Sequence, residues 1–320
     1  MLPELSRVST QPVDLTPQSP PQISTGTITD DPAAAAPIGA ELRFRPVTPI
    51  YNGPEKAAAM RNWESFQGIL LSIHFRTKTS HSVEGSGVLI GPGIALCAKH
   101  VIEPHLNGIF GGTVGTIVTG LASHGVQIWR LTKITTVPDT DFCILGLLCA
   151  SQLPPSNEFQ QALITTRLPK LGEKLMLAGF RAGQNAFEIT DQTNFALSGS
   201  VLICSGIVTD RYPQGRDRHM LPSPSLQIDC PSWGGMSGGP AFDGDGKLVG
   251  LLSSSFDQGP SYVSLIWPAL TCPFEGGWPA ACFPSKTTLL ELDTCAIDKR
   301  SALSVSKKDG VTTTVYRIWE

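Results

Sequence analysis

No stretch of this 320-residue chain stays apolar for long enough to cross a bilayer, so membrane insertion is not expected. Lysine and arginine do not cluster. The 24 basic and 27 acidic side chains leave a formal net charge of −3, and the aromatic residues are scattered. A nucleic-acid groove needs a basic surface with stacking platforms along it, so nucleic acid is not an expected partner. Met1 to Pro20 has no basic start followed by an apolar segment, and so no secretory leader pattern. A cytoplasmic location is the expectation, with unconventional secretion as the alternative. No Cys-x-x-Cys spacing occurs among the eight cysteines, so no structural zinc site is expected, and no metal or organic cofactor. Cys97, Cys143, Cys149 and Cys204 lie in or beside apolar runs, where a reduced thiol packs as a small hydrophobe.

Long helical periodicity is missing as well. Short runs of valine, isoleucine, leucine and threonine alternate with glycine, proline, serine and aspartate, the pattern of many short strands. Residues 1–58 are rich in proline and read as a disordered or extended segment, with a short helix expected over 54–62. Two groups of strands follow, over 59–155 and 156–267, with His81 to Glu84 read as a loop in the first. About six strands in each group predicts an all-β fold of two packed six-stranded antiparallel barrels with a cleft between them, because closure removes exposed edges. A sandwich satisfies the same pattern. Residues 268–320 read as an extension packed on the body, with leucines spaced for a short amphipathic helix over Lys286 to Asp298 and a terminal strand over Thr312 to Ile318.

Three groups stand where chemistry needs them. Gly235-Met236-Ser237-Gly238-Gly239-Pro240 places a serine in a turn bounded by glycines, which let main-chain amides point the same way as the hydroxyl. A serine hydroxyl needs a base, and the base needs an orienting acceptor on its second nitrogen. His100 ends the apolar run Ile94 to Ala98, and Asp141 opens the run Phe142 to Leu145. Singly, each has an ordinary structural reading as a packed histidine, a turn aspartate or a loop serine. Their joint presence in an all-β pattern carries the argument. The other histidines have no carboxylate beside a matching apolar run.

With these motifs the chain resembles the trypsin- and chymotrypsin-like serine endopeptidases, in their compact bacterial or intracellular form. The order His, Asp, Ser is that superfamily's order, and the resemblance covers about residues 66–267. Gly85 to Ile90 leading to Ala98-Lys99-His100-Val101, Asp139 to Leu145, and Gly235 to Pro240 followed by Gly250 to Ser253 are the segments that match. The resemblance implies that Ser237 attacks a scissile carbonyl, His100 moves its proton, and Asp141 orients the imidazole. It also implies that the amides of Gly235 and Ser237 form the oxyanion hole. Pro231 and Ser232 fall at the specificity position, and Ser253, Ser254 and Ser255 line an extended peptide substrate. Ser253 would also support Asp141.

Two departures refine the expectation. Met236 stands where secreted relatives place an aspartate that pairs with a freed N-terminus, so activation by that ion pair is not expected. Pro231 and Ser232 supply no acidic pocket floor, so a demand for Lys or Arg is not expected. The expected function is a serine endopeptidase acting on a protein or peptide. A catalytically weak protein of this fold that binds an extended peptide is the alternative. A metal-dependent hydrolase lacks converging ligands in the sequence, and no peptide-binding module fits after residue 267.

Overall fold

The computed structural model describes residues 22–37, 39–49, 57–59, 66–122, 125–189, 194–255, 259–298, 303–308 and 311–316. Three short strands come first: β1 (Gln22–Thr27), β2 (Arg43–Val47) and β3 (Ala57–Ala59). The helix expected over 54–62 is replaced at 57–59 by β3, which pairs with residues 202–204; the rest of that stretch lies outside the described residues. Alanine favours helix on propensity alone, but the edge of a neighbouring strand offers main-chain partners that override it.

The first barrel consists of β4 (Leu70–Arg76), β5 (His81–Gly91), β6 (Ile94–Ala98), β7 (Gly115–Ala122), β8 (Gly125–Thr136) and β9 (Phe142–Cys149). They close in the order β4-β5-β6-β9-β8-β7. Two short helices, α1 (Lys99–Ile102) and α2 (Leu106–Phe110), leave the end of β6. His81 to Glu84, expected as a loop, begins β5 instead. Residues 81–83 pair with 74–76, and the turn is confined to Thr77–Ser80, where the Thr77 N–H donates to the Ser80 carbonyl at 2.9 Å.

β4, β6, β9 and the second half of β5 are buried on both faces because each face has its own partner. Ile73, Leu89, Ala95, Cys97, Cys143 and Leu145 fill the barrel's own core. Their neighbours one residue away, Val88, Ile94, Leu96, Phe142 and Ile144, join the core of the second half of the molecule. The period of two thus serves both barrels.

β10 (Glu158–Ala162), parallel to β2, and β11 (Ile164–Thr165) cross to the second half. There β12 (Lys174–Ile189), β13 (Asn194–Tyr212), β14 (Ser225–Ile228), β15 (Pro240–Phe242), β16 (Leu248–Ser255) and β17 (Ser261–Leu265) follow. Antiparallel pairing in the order β12-β13-β14-β17-β16-β15, with β15 returning to β12, closes a second six-stranded ring. β1 and β3 add to one side of the long β13.

The chain then passes through α3 (Trp267–Leu270) and buries Trp278 against Trp129 of β8, at 5.9 Å and nearly edge-on. The indole N–H of Trp278 donates to Asp31 at 2.8 Å, so both terminal extensions lock onto the first barrel. Lys286 to Asp298 is not the expected helix. It is a series of turns ending in β18 (Ile297–Asp298), parallel to β11. Its leucines pack without a helix: Leu289 is fully enclosed, Leu290 and Leu292 are half-buried against the core, and the Leu290 N–H donates to the carbonyl of Leu270. A hairpin of β19 (Leu303–Lys308) and β20 (Val311–Tyr316) completes the described chain. None of the eight cysteines forms a disulfide, and all but Cys282 are buried.

Candidate active site

His100 lies in α1, just past the end of β6. Ala98, the last residue of β6, pairs with Phe142, the first of β9, so Asp141 is brought beside the start of α1. The Lys99 N–H donates to the Asp141 carbonyl at 3.0 Å, and the His100 main-chain N–H donates to Asp141 Oδ1 at 3.0 Å. The imidazole is held by the same carboxylate: Nδ1 is 2.9 Å from Oδ2 and 3.1 Å from Oδ1. A carboxylate accepts, so Nδ1 carries the proton and Nε2 is left as an acceptor. The Asp141 side chain is 9% exposed and that of His100 37%, which leaves the imidazole open to a partner. Asp139 sits in the preceding turn at φ 54° and is not the carboxylate on His100. Thr140 stitches that turn, donating its hydroxyl to the Val137 carbonyl and accepting the Phe142 N–H.

The serine loop is fixed peptide by peptide. The Met236 N–H donates to the Trp233 carbonyl at 3.1 Å, closing a turn with Gly235 at φ 91°. A positive φ at the third position of such a turn is a glycine conformation. The Gly239 N–H donates to the Met236 carbonyl, and the Gly238 N–H to Leu252 of β16. Gly238, at φ 80°, has no room for a side chain, because a Cβ would stand 2.3 Å from the Ser86 carbonyl oxygen. Met236 is fully buried, which satisfies an apolar side chain where an activating carboxylate would be stranded. Among the described residues, the main-chain N–H groups of Gly235 and Ser237 donate to no protein acceptor.

Both elements meet at Gly85 in β5. A Cβ there would lie 2.6 Å from Val101, the neighbour of His100, and 3.0 Å from the carbonyl oxygen of Ser237. The Ser237 side chain is half-buried, and among the described residues its hydroxyl makes no hydrogen bond to His100 or to any other group. The structure therefore joins His100 to Asp141 and sets the serine loop alongside, with the serine–histidine hydrogen bond unmade.

The remaining expected site residues lie on the second barrel. Pro231 is half-buried, and Ser232 Oγ is 2.9 Å from Ser261 Oγ, which also reaches the Cys230 carbonyl. Ser253 is buried on β16, but its hydroxyl is 2.7 Å from Ser264 Oγ, so its hydrogen bond goes to β17 and not to Asp141. Ser254 and Ser255 end β16, paired with Tyr262 and Ser261 of β17. On the other side of residues 253–255, no strand pairs among the described residues. Burial pushes the Cys97 thiol well up, as does its hydrogen bond with Cys143, and burial pushes the Cys230 thiol up to about 12. Neither offers a thiolate to compete with the serine. Among the described residues, no three His, Cys, Asp or Glu side chains converge as metal ligands.

Sequence reasoning passed over Ser86. It is fully buried in β5, and its hydroxyl donates to the Gly235 carbonyl at 2.7 Å while accepting the Phe180 N–H at 2.7 Å. The signal available was the Gly85-Ser86-Gly87 run, since flanking glycines permit a close main-chain approach.

No curated protein sequence matches the chain. Solved structures similar in backbone shape include the inactive form of the Rv3671c protease, known from M. tuberculosis, at 18% identity and a TM-score of 0.42, covering 64% of this chain and 86% of that one. Deg5 is similar at 17% identity and a TM-score of 0.42, covering 62% and 84%. By sequence, residues 85–251 match the trypsin-like peptidase domain, just over half of the chain. That match starts where β5 meets the serine loop and ends in the strand to which the loop is lashed, so it spans both halves of the site, and the chain belongs to the trypsin-like peptidase domain family.

Proposed function

We propose that the chain is a serine endopeptidase that cleaves protein or peptide substrates through Ser237, His100 and Asp141. The observation that carries the proposal is the pair of amides, those of Gly235 and Ser237, that donate to no acceptor among the described residues, beside a histidine whose Nδ1 faces Asp141 at 2.9 Å. Attack of the Ser237 oxygen on a carbonyl puts negative charge on the carbonyl oxygen, and two free amides on one turn are suited to receive it. His100 Nε2 takes the serine proton in that step and returns it to the leaving amine. The edge of residues 253–255 away from β17, unpaired among the described residues, is suited to an extended substrate adding as one more strand. In the productive state the Ser237 hydroxyl turns to His100 Nε2, a hydrogen bond that free enzymes often make only when substrate is bound.

One observation favours the second reading, a catalytically weak protein that binds an extended peptide: the Ser237 hydroxyl is not bonded to His100. Incubation with a mixed peptide library separates the two. The protease reading requires new peptide termini that vanish in Ser237→Ala. Peptide retention without cleavage supports the binding reading.

A further inference from the structure

We propose that Ser86, a residue of the first barrel, is the positioning residue that sets the oxyanion-binding turn of the second. The inference rests on the protease reading above and adds a residue to it.

Main-chain N–H and C=O groups away from water need partners, and those partners fix each peptide unit of the serine loop. Three consecutive peptide units run from Gly235 to Gly238. The first is held at its N–H, where Met236 donates to Trp233, and at its carbonyl, where Gly235 accepts the Ser86 hydroxyl at 2.7 Å. The second is held at the Met236 carbonyl by the N–H of Gly239. The third is held at the Ser237 carbonyl by the main-chain N–H of Ser86 at 2.8 Å, and at the Gly238 N–H by Leu252. Ser86 therefore grips the first and the third unit; among the described residues, the N–H of Ser237 in the second unit and that of Gly235 in the unit just before the first donate to no protein acceptor.

The direction of the hydroxyl is fixed. The Phe180 N–H can only donate, and it occupies a lone pair of Ser86 Oγ at 2.7 Å. The single hydroxyl proton must then go to the Gly235 carbonyl. Ser86 is fully buried, so water does not replace it when the side chain is lost. Without that hydroxyl, the unit following Gly235 keeps one anchor, at the Met236 N–H. Gly235 is a glycine at φ 91°, free to leave that conformation at no steric cost. Rotation there swings the Gly235 amide off the developing oxyanion. The bond joins residues 149 apart in sequence, and Phe180 and Gly235 both belong to the second half, so the turn is set by how the barrels dock.

The test compares Ser86→Ala with wild type and with Ser86→Thr, which restores a hydroxyl. Full removal of an oxyanion donor lowers turnover by about 10²–10³-fold, so a misdirected one should lower kcat by about 10–100-fold in Ser86→Ala, with KM changed less than about threefold. A peptide aldehyde, whose adduct with Ser237 carries the oxyanion, should lose affinity in proportion to kcat/KM. The matching peptide alcohol, which forms no adduct, should bind as before. A merely structural role would weaken both ligands together. Concentrations are set by titration of folded, reactive sites, so a less stable variant is still read correctly. If Ser86→Thr does not fold, Ser86→Gly takes its place and must match Ser86→Ala. Unchanged kcat in Ser86→Ala, or equal loss of aldehyde and alcohol, overturns the proposal while leaving the protease reading in place. Turnover that persists in Ser237→Ala, or is absent from the wild type, removes both.

Discussion

Replacing Asp141 by asparagine separates what its carboxylate does for the fold from what it does for the imidazole. Oδ1 accepts the His100 main-chain N–H at 3.0 Å, and Oδ2 faces the ring Nδ1 at 2.9 Å. An asparagine has one acceptor and one donor for these two places. With its oxygen on the main-chain N–H, its NH₂ faces Nδ1, which must then accept, and the ring proton moves to Nε2. That tautomer cannot take a proton from Ser237. The flipped amide keeps the useful tautomer but sets NH₂ against the partly buried His100 N–H, and a donor left unsatisfied away from water costs up to about 1–3 kcal/mol. The useful tautomer is thereby reduced about 5- to 150-fold. Loss of the negative charge that stabilises the imidazolium adds to this, for a total of about 10³–10⁴-fold in kcat/KM, or about 4–5.5 kcal/mol of transition-state stabilisation. Stability should change little, about 1–2 kcal/mol, because the contact to the main chain survives. The assay is kcat/KM on a cleaved peptide beside a thermal melt of the same preparation. A folded Asp141→Asn variant within tenfold of wild type would refute the tautomer argument.

Two further outcomes follow from the structure. Burial, and then the nearby His81, hold His74 down at about 3, and burial and then Arg76 hold His81 down at about 4, both below the ordinary 6.5. The unfolded chain thus binds protons that the folded chain refuses. Stability contributed by these groups is full above about pH 6.5 and is lost as pH falls through 4 and 3, with His74 worth about 5 kcal/mol at most. His74→Gln, which can still bond Ser72 and Thr119, should flatten the acid limb of a denaturation-against-pH curve; an unchanged limb would contradict this. In the peptide library, cleavage should follow uncharged residues, because Pro231, Ser232 and Ser253 to Ser255 bring no carboxylate and a charge buried without one costs several kcal/mol, roughly. A dominant Lys or Arg preference would show that a carboxylate reaches the pocket from elsewhere, with the exposed Asp229 the first to test.

Much of the fold was legible because the barrel strands are short apolar runs bounded by glycine, proline and polar residues. Ile94 to Ala98 and Phe142 to Leu145 are apolar throughout because one face fills a barrel and the other packs against its neighbour, so both strands stand out in the sequence. His100 and Asp141 were legible for the same reason, as polar residues at the ends of those runs. What was not legible depends on partners far along the chain. Nothing in Ala57–Ala59 announces pairing with residues 202–204, and local propensity points to helix. The leucines near 290 are spaced as for a helix, yet they pack on the core from turns, one of which takes the Leu270 carbonyl of α3 as its partner. Ser253 reads as a support for Asp141 only while the hydroxyl of Ser264 across the sheet is ignored. Ser86 reads as an ordinary strand residue until the second barrel is docked against it.

Cleavage by this site requires Ser237 to be a nucleophile activated by His100. The most direct measurement is the intact mass of the folded chain after reaction with a fluorophosphonate, with the modified peptide then located. A single adduct on Ser237 is expected, formed at least about 10³-fold more slowly in His100→Ala and not at all in Ser237→Ala. No adduct on a folded chain, or one formed equally fast without His100, would contradict it.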